Sequence, residues 1–310
     1  IRNSNLEGFK IQGSIDRLIT TLFADDTTVY LSKNDDFNDL QKILTRWCKA
    51  SGAKFNIQKT EIIPVGSKEY RTEVLDERRS NPDHQKINEN IRIAKEGQPV
   101  RILGTFAGNG VEQASVWTPT LEKIGSALKR WGRSRPTQDG KRLILGMEIG
   151  GRTQYLTHVQ GMPKDVEGKL IKMIRDFMWD DSSSPMISLD MFSHKHGKGG
   201  KKLLHIPSRN SAIQLRKLQK YLTFDRTRPR WARVADELYQ KSVNRTTNEE
   251  QDNGFCNPFL QTWDPITRGE RTRIPTNLKE MYSTGKKYGV TFTPTAPSRT
   301  LRRALPIWYH

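Results

Sequence analysis

Between residues 17 and 66 the spacing of apolar positions changes twice. In "RLITTLFADDTTVYLS", Leu18, Ile19, Leu22 and Phe23 lead into an acidic pair, and Val29, Tyr30 and Leu31 lead out. The threonines add β-branched character, so the stretch predicts strand, turn, strand. In "NDDFNDLQKILTRWCKASG" the period becomes helical. Phe37, Leu40, Leu44, Trp47 and Cys48 share one face, opposite Lys42, Arg46 and Lys49, which predicts an amphipathic helix lying on a sheet. Asn34 to Asp36 offer N-caps and Gly52 a left-handed stop. "AKFNIQKTEIIPVG" predicts a further strand ending at Pro64 and Gly66. Residues 67–99 are polar, mixed in charge and weakly patterned, and read as an insertion or long loop. "PVRILGTFAGNG" then predicts a short strand pair with a glycine at its bend.

From Thr118 the pattern is helical. "TPTLEKIGSALKRWGR" sets Leu121, Ile124, Leu128 and Trp131 against Lys123, Ser126 and Arg130, with Pro119 suited to a first helical position. "QDGKRLILGMEIGGRTQYLTHV" predicts a second helix weakened by its glycines. "KDVEGKLIKMIRDFMW" predicts a third, with Val166, Leu170, Met173, Ile174 and Phe177 inward. Residues 182–207 read as a Ser-, Gly-, His- and Lys-rich loop, and "RNSAIQLRKLQKYL" as a fourth helix. Beyond about residue 240 the chain is polar, Pro-rich and weakly patterned. The expected class is α+β.

Composition narrows the possibilities. The 310 residues suffice for a sizeable core and suggest about two domains. No run of about 18 apolar residues occurs, so no membrane partner is expected, and the N-terminus lacks the apolar segment of a secretory signal. The first residue is Ile1, which leads us to expect a piece of a longer protein. Only Cys48 and Cys256 are present, which fits a reducing compartment and excludes a disulfide scaffold or Cys-rich zinc site. Net charge is +18, unevenly spread. Residues 1–117 hold 17 Lys and Arg against 16 Asp and Glu, whereas residues 118–240 hold 24 against 12 and residues 241–310 hold 11 against 6. That asymmetry suits a polyanionic partner such as nucleic acid, although a solvated basic surface explains it equally well.

The doubled aspartate of "FADD" is the sharpest chemical signal. Neighbouring side chains on a strand point to opposite faces, so Asp25 and Asp26 converge only if the backbone turns between them. Convergent carboxylates attract a hard divalent cation, and Mg²⁺ commonly takes one or two of them together with substrate phosphates. The arrangement suits nucleotidyl transfer by two metals. Taken alone, four residues are more often an exposed turn.

The surroundings add order to the motif. "LFADDTTVYLS", then "LTRWCKASGAKFNIQKTEIIPVGS", then "VRILGTF", then helices containing "FMWDD" and "GKGGKKLLHIP", resemble in sequence the palm and thumb of LINE-type non-LTR retrotransposon reverse transcriptases. The resemblance extends to about residue 225; the tail "LPIWYH" is only weakly similar. It implies a partial palm over 1–117 with an insertion at 67–99, a basic helical thumb over 118–240, and a linker or extension over 241–310. It implies RNA-directed DNA synthesis, with Asp25 and Asp26 as ligands of catalytic Mg²⁺ and Lys59 at the position proposed to protonate leaving pyrophosphate. Leu103 and Gly104 match the primer grip, where glycine lets backbone approach the primer. Lys59 as a plain surface lysine and residues 103–104 as a plain bend are the alternatives. The implied partners are an RNA template, a DNA primer and deoxynucleotides, in the nucleus for target-primed integration or in the cytoplasm. A thumb grips phosphates, and Lys123, Lys129, Arg130, Arg133, Arg135, Lys141 and Arg142 are the candidate contacts.

Such polymerases carry a third metal-binding aspartate and their fingers N-terminal to the stretch resembled by "NLEGFKIQG". The chain is therefore expected not to polymerise alone. The rival expectations are a non-catalytic nucleic-acid-binding fragment or element relic, and a host-adapted structural protein with a vestigial site. His194 and His196 in "SHKHGKGG" could suggest a metal, but a basic loop touching phosphate or water fits better. Trp117, Trp131 and Trp179 read as core or helix-end anchors rather than base-stacking platforms.

Overall fold

The computed structural model describes residues 1–11, 17–180, 187–243, 257–260, 263–267, 269 and 274–291. Cys256, Asp181 and the C-terminal "LPIWYH" lie outside them. The chain divides into two compact units, Ile1–Glu112 and Gln113–His310. Helices and small two-stranded sheets make up both the class and the architecture, which is α+β.

In the first unit β1 (Thr20–Phe23) and β2 (Asp26–Val29) form an antiparallel hairpin with Phe23 opposite Asp26. Helix α1 (Phe37–Ser51) follows. The Asp36 carboxylate accepts from the Asn38 N–H at 2.9 Å and caps its start, while Gly52 at φ 73° ends it. Leu40 is buried, and Phe37, Ile43 and Leu44 pack with Leu6, Ile19, Val29 and Leu31. The stripe continues past this core to Trp47, which is 52% exposed.

Two expectations are corrected here. The strand predicted after α1 is only β3 (Glu61–Ile62), preceded by a 3₁₀ turn at Ile57–Lys59 that Asn56 caps through the Lys59 N–H. Residues 67–99 are not a plain loop. They contain α2 (Lys68–Glu77), capped by Ser67, and β4 (Arg92–Ile93), which pairs in parallel with β3. Ile87, Ile91 and Ile93 are buried together, with Ile62 and Leu75 against them. These side chains belong to no single helical or strand period, so the cluster has no local sequence signature. The strand pair predicted next is present as β5 (Val100–Ile102) and β6 (Thr105–Ala107), an antiparallel hairpin.

The second unit is helical. Helix α3 runs Gln113–Gly132 with Val116, Trp117, Ile124, Ala127 and Leu128 buried. It begins before Pro119, which therefore sits inside the helix rather than at its first position. The expected second helix is one helical run in three parts: α4 (Gln138–Leu145), a π-helical segment Gly146–Gly151, and α5 (Arg152–Gln160). Helix α6 (Lys164–Met178) packs on α3 and α4 through Val166, Leu170, Ile174 and Met178, with Met173 and Phe177 half-buried. After α6, the expected loop contains α7 (Leu189–Ser193), and α8 (Ile206–Tyr221) follows.

The region beyond residue 240 also differs from expectation. Helix α9 (Arg230–Gln240) and α10 (Thr276–Lys287) close one core with α8, in which Leu218, Tyr221, Tyr239, Phe259, Trp263, Ile274 and Met281 are buried. A Cβ on Gly285 would stand 2.6 Å from Phe259 and 2.7 Å from Leu218, so α10 needs glycine there. Among the described residues no helix is long and apolar enough to cross a membrane.

Candidate functional site

The acidic pair lies at the tip of the β1–β2 hairpin, on a two-residue turn formed by Ala24 and Asp25. Ala24 is held at φ 50°, a left-handed conformation that a Cβ disfavours. Strain of this kind persists only where the flanking structure imposes it, and it is enriched at functional sites. Asp25 occupies the turn and Asp26 opens β2; both are exposed. The backbone turns through Ala24 and Asp25, and Asp26 is already paired with Phe23.

Asp35 fixes the base of this hairpin. It is 5% exposed and accepts the N–H groups of Glu7 at 2.7 Å, Gly8 at 2.9 Å and Ser32 at 2.7 Å. Burial pushes its carboxyl up, but these backbone donors outweigh that and hold it below the ordinary value of 3.8. The sequence suggested only a capping role for Asn34 to Asp36. Three acid or amide residues in a row hide which one turns inward.

Lys59 ends the 3₁₀ turn after α1 and is exposed. Leu103 at φ 50° and Gly104 at φ 78° form the β5–β6 turn. Two successive positive φ values match the tight hairpin turn whose twist suits paired strands. Leu103 is 42% exposed at this tip. Each of these positions belongs to the first unit.

As possible metal ligands, Asp25 and Asp26 fit in donor type: two hard carboxylate oxygens sources, adjacent and exposed, of the sort Mg²⁺ takes alongside phosphates and water. No group of three or more His, Cys, Asp or Glu is placed to hold a metal among the described residues. His194 and His196 are exposed. Their loop is folded by backbone hydrogen bonds from Lys201 to Phe192 and from Lys202 to His194, both 2.9 Å.

The basic candidates of the second unit separate into two kinds. Lys123, Lys129 and Arg130 on α3, and Arg133 and Arg135 just after it, are all exposed. Lys141 is not a surface charge. It is 5% exposed, and its Nζ donates to the Met178 carbonyl at 3.2 Å and to Asp180 at 2.7 Å. It joins α4 to the end of α6 and cannot also meet a phosphate in this arrangement. Arg142 is half-buried, and its Nε is buried without a partner among the described residues.

The three tryptophans are placed as anchors. Trp117 is fully buried, Trp179 meets Phe192 edge-on at 5.6 Å, and Trp131 donates from Nε1 to Glu148 at 3.1 Å. Glu148, 5% exposed in the π segment, also accepts from Arg152 Nε at 2.6 Å. Hydrogen bonding to Arg152 holds its carboxyl below the ordinary range, against the effect of burial. Sequence reasoning passed over this pair, although Glu and Arg four apart on a helix are a readable signal.

Comparison of the chain with protein-family models and with curated proteins returns no match.

Proposed function

We propose that the chain carries the catalytic hairpin of the palm, and the thumb, of a LINE-type non-LTR retrotransposon reverse transcriptase. The observation that carries this reading is the exposed Asp25–Asp26 pair on a strained two-residue hairpin, followed in chain order by the α1 helix, the Lys59 turn and the Leu103–Gly104 hairpin. In the intact enzyme Asp25 and Asp26 would hold Mg²⁺, and the chemistry that ion would supply is activation of the primer 3′-hydroxyl and charge stabilisation on the leaving oxygen. Lys59 serves the leaving pyrophosphate, and the β5–β6 turn approaches the primer backbone. The exposed cations of α3 and its C-terminal end grip the RNA–DNA hybrid through its phosphates, without reading base identity.

The test is RNA-templated primer extension by a chimera in which the fingers and first palm strands of a non-LTR reverse transcriptase precede Ile1. Extension that disappears with Asp25→Asn supports the reading. Extension at near-parent rate in the Asp25→Asn chimera refutes the assignment of the hairpin. The second reading is a nucleic-acid-binding protein without catalysis. It is favoured by the basic excess of residues 118–240, 24 Lys and Arg against 12 Asp and Glu, which a polyanionic partner explains without any catalytic site.

A further inference from the structure

The groove beside α3 is lined by Glu122, Lys123, Ser126, Ala127, Arg130 and Arg152. Three cations and a hydroxyl thus face one concavity, opposed by a single exposed carboxylate. Arg152 enters it from the first position of α5, directly after the π segment. Single-turn π segments inside helices are frequent at functional sites because they reset which side chains share a face.

Arg152 is held in an unusual way for a surface arginine. Its Nε is taken by the buried Glu148 carboxylate at 2.6 Å, while its side chain remains 43% exposed. The two Nη groups have no hydrogen-bond partner among the described residues. A guanidinium fixed through Nε presents its terminal nitrogens as a pre-oriented fork, the geometry that matches two phosphate oxygens. Glu148 is itself fixed, since its other oxygen accepts from the Trp131 indole at 3.1 Å. An ordinary i,i+4 surface pair lacks both features, because its carboxylate is solvated and free to leave.

We infer that Arg152 is a bidentate contact for a backbone phosphodiester of the bound hybrid, with Lys123 and Arg130 beside it, and that Glu148 is the positioning residue that aims it. The inference rests on the nucleic-acid reading above and adds two residues to it. Holding the fork in advance lowers the side-chain entropy lost on binding.

The test is fluorescence anisotropy of a labelled RNA–DNA hybrid with the full chain across a salt titration. Parent, Arg152→Ala, Arg152→Lys and Glu148→Gln are compared, each checked for folding by circular dichroism. Arg152→Ala should flatten the salt slope by about 0.9, one phosphate contact on duplex DNA. Arg152→Lys should keep the slope, because charge is retained, yet bind several-fold more weakly because the fork is lost. Glu148→Gln, which turns one of the two accepting oxygens into an NH₂ donor facing an N–H, should weaken binding with the slope unchanged. Should Glu148→Gln unfold the protein, the exposed Arg152 variants still decide the question. Parent and Arg152→Ala curves that coincide would overturn the inference while leaving the nucleic-acid reading standing. A parent that fails to bind hybrid at low salt would remove both. Inorganic phosphate that displaces hybrid from parent better than chloride of equal ionic strength would reassign the groove to a small anion.

Discussion

Replacing Lys123, Arg130, Arg133 and Arg135 together by alanine tests the basic face directly. All four are exposed, and none makes a salt bridge among the described residues. None belongs to the buried set of Val116, Trp117, Ile124, Ala127 and Leu128, so each exchange should change stability by no more than about 0.5 kcal/mol. If each meets one phosphate, the logarithmic salt slope should flatten by about 3.6 units, and doubling salt from ~0.1 to ~0.2 M should weaken the parent about 12-fold more than the variant. Anisotropy titrations on an RNA–DNA hybrid measure both. Lys141→Met is the control from inside the fold. It removes the buried ammonium from the Met178 carbonyl and Asp180, so it should cost about 1–3 kcal/mol in denaturant unfolding while leaving the slope intact. An unchanged slope in the folded quadruple variant would mean that these cations only face solvent. A flattened slope in folded Lys141→Met would show that the ammonium leaves its pocket to bind.

Three further outcomes are expected. Asp35 titrates lower folded than unfolded, so its contribution is full above its ordinary value of 3.8 and is lost as pH falls through the depressed folded value; Asp35→Asn should weaken the first unit near pH 7 and flatten its acid unfolding curve, and an identical acid curve would refute the anchor. Gly285→Ala should lower stability by about 1–3 kcal/mol by overpacking Phe259 and Leu218, read by thermal or denaturant unfolding, and a neutral result would mean that α10 shifts freely. Under the reading proposed above, purified chain with Mg²⁺ should extend no primer above background without the fingers and first palm strands; measurable RNA-templated extension would refute this.

How much could be read in the sequence depended on whether an element carries its own period. Helices α1, α3, α6 and α8 were legible because Leu40, Ile124, Leu170 and Leu218 recur with apolar neighbours three and four residues away. The two hairpins were legible from their bends at Asp25 and Gly104. Helix α10 was not, since Thr276, Asn277, Ser283, Thr284 and Gly285 are poor helix formers. It is held by Met281 and Tyr282 inserting beside Tyr239 and Phe259, a long-range contact that overrides local propensity. The isoleucines of residues 87–93 were missed for the same reason. At the site, residue type suggested seven phosphate contacts, but a sequence cannot distinguish Lys141 from Lys129. The difference comes from a carbonyl brought up from the end of α6.

The closing of α8 by α10 has a consequence during synthesis. The N-terminal unit and helices α3 to α9 leave the ribosome before Met281 and Tyr282 exist to cover Leu218, Tyr221 and Tyr239. Until then that aromatic face lacks the cover of α10, and a nascent or truncated chain presents more of it to chaperones and to other copies of itself. Ending the chain at residue 240, where the sequence pattern fades, would make that passing exposure permanent.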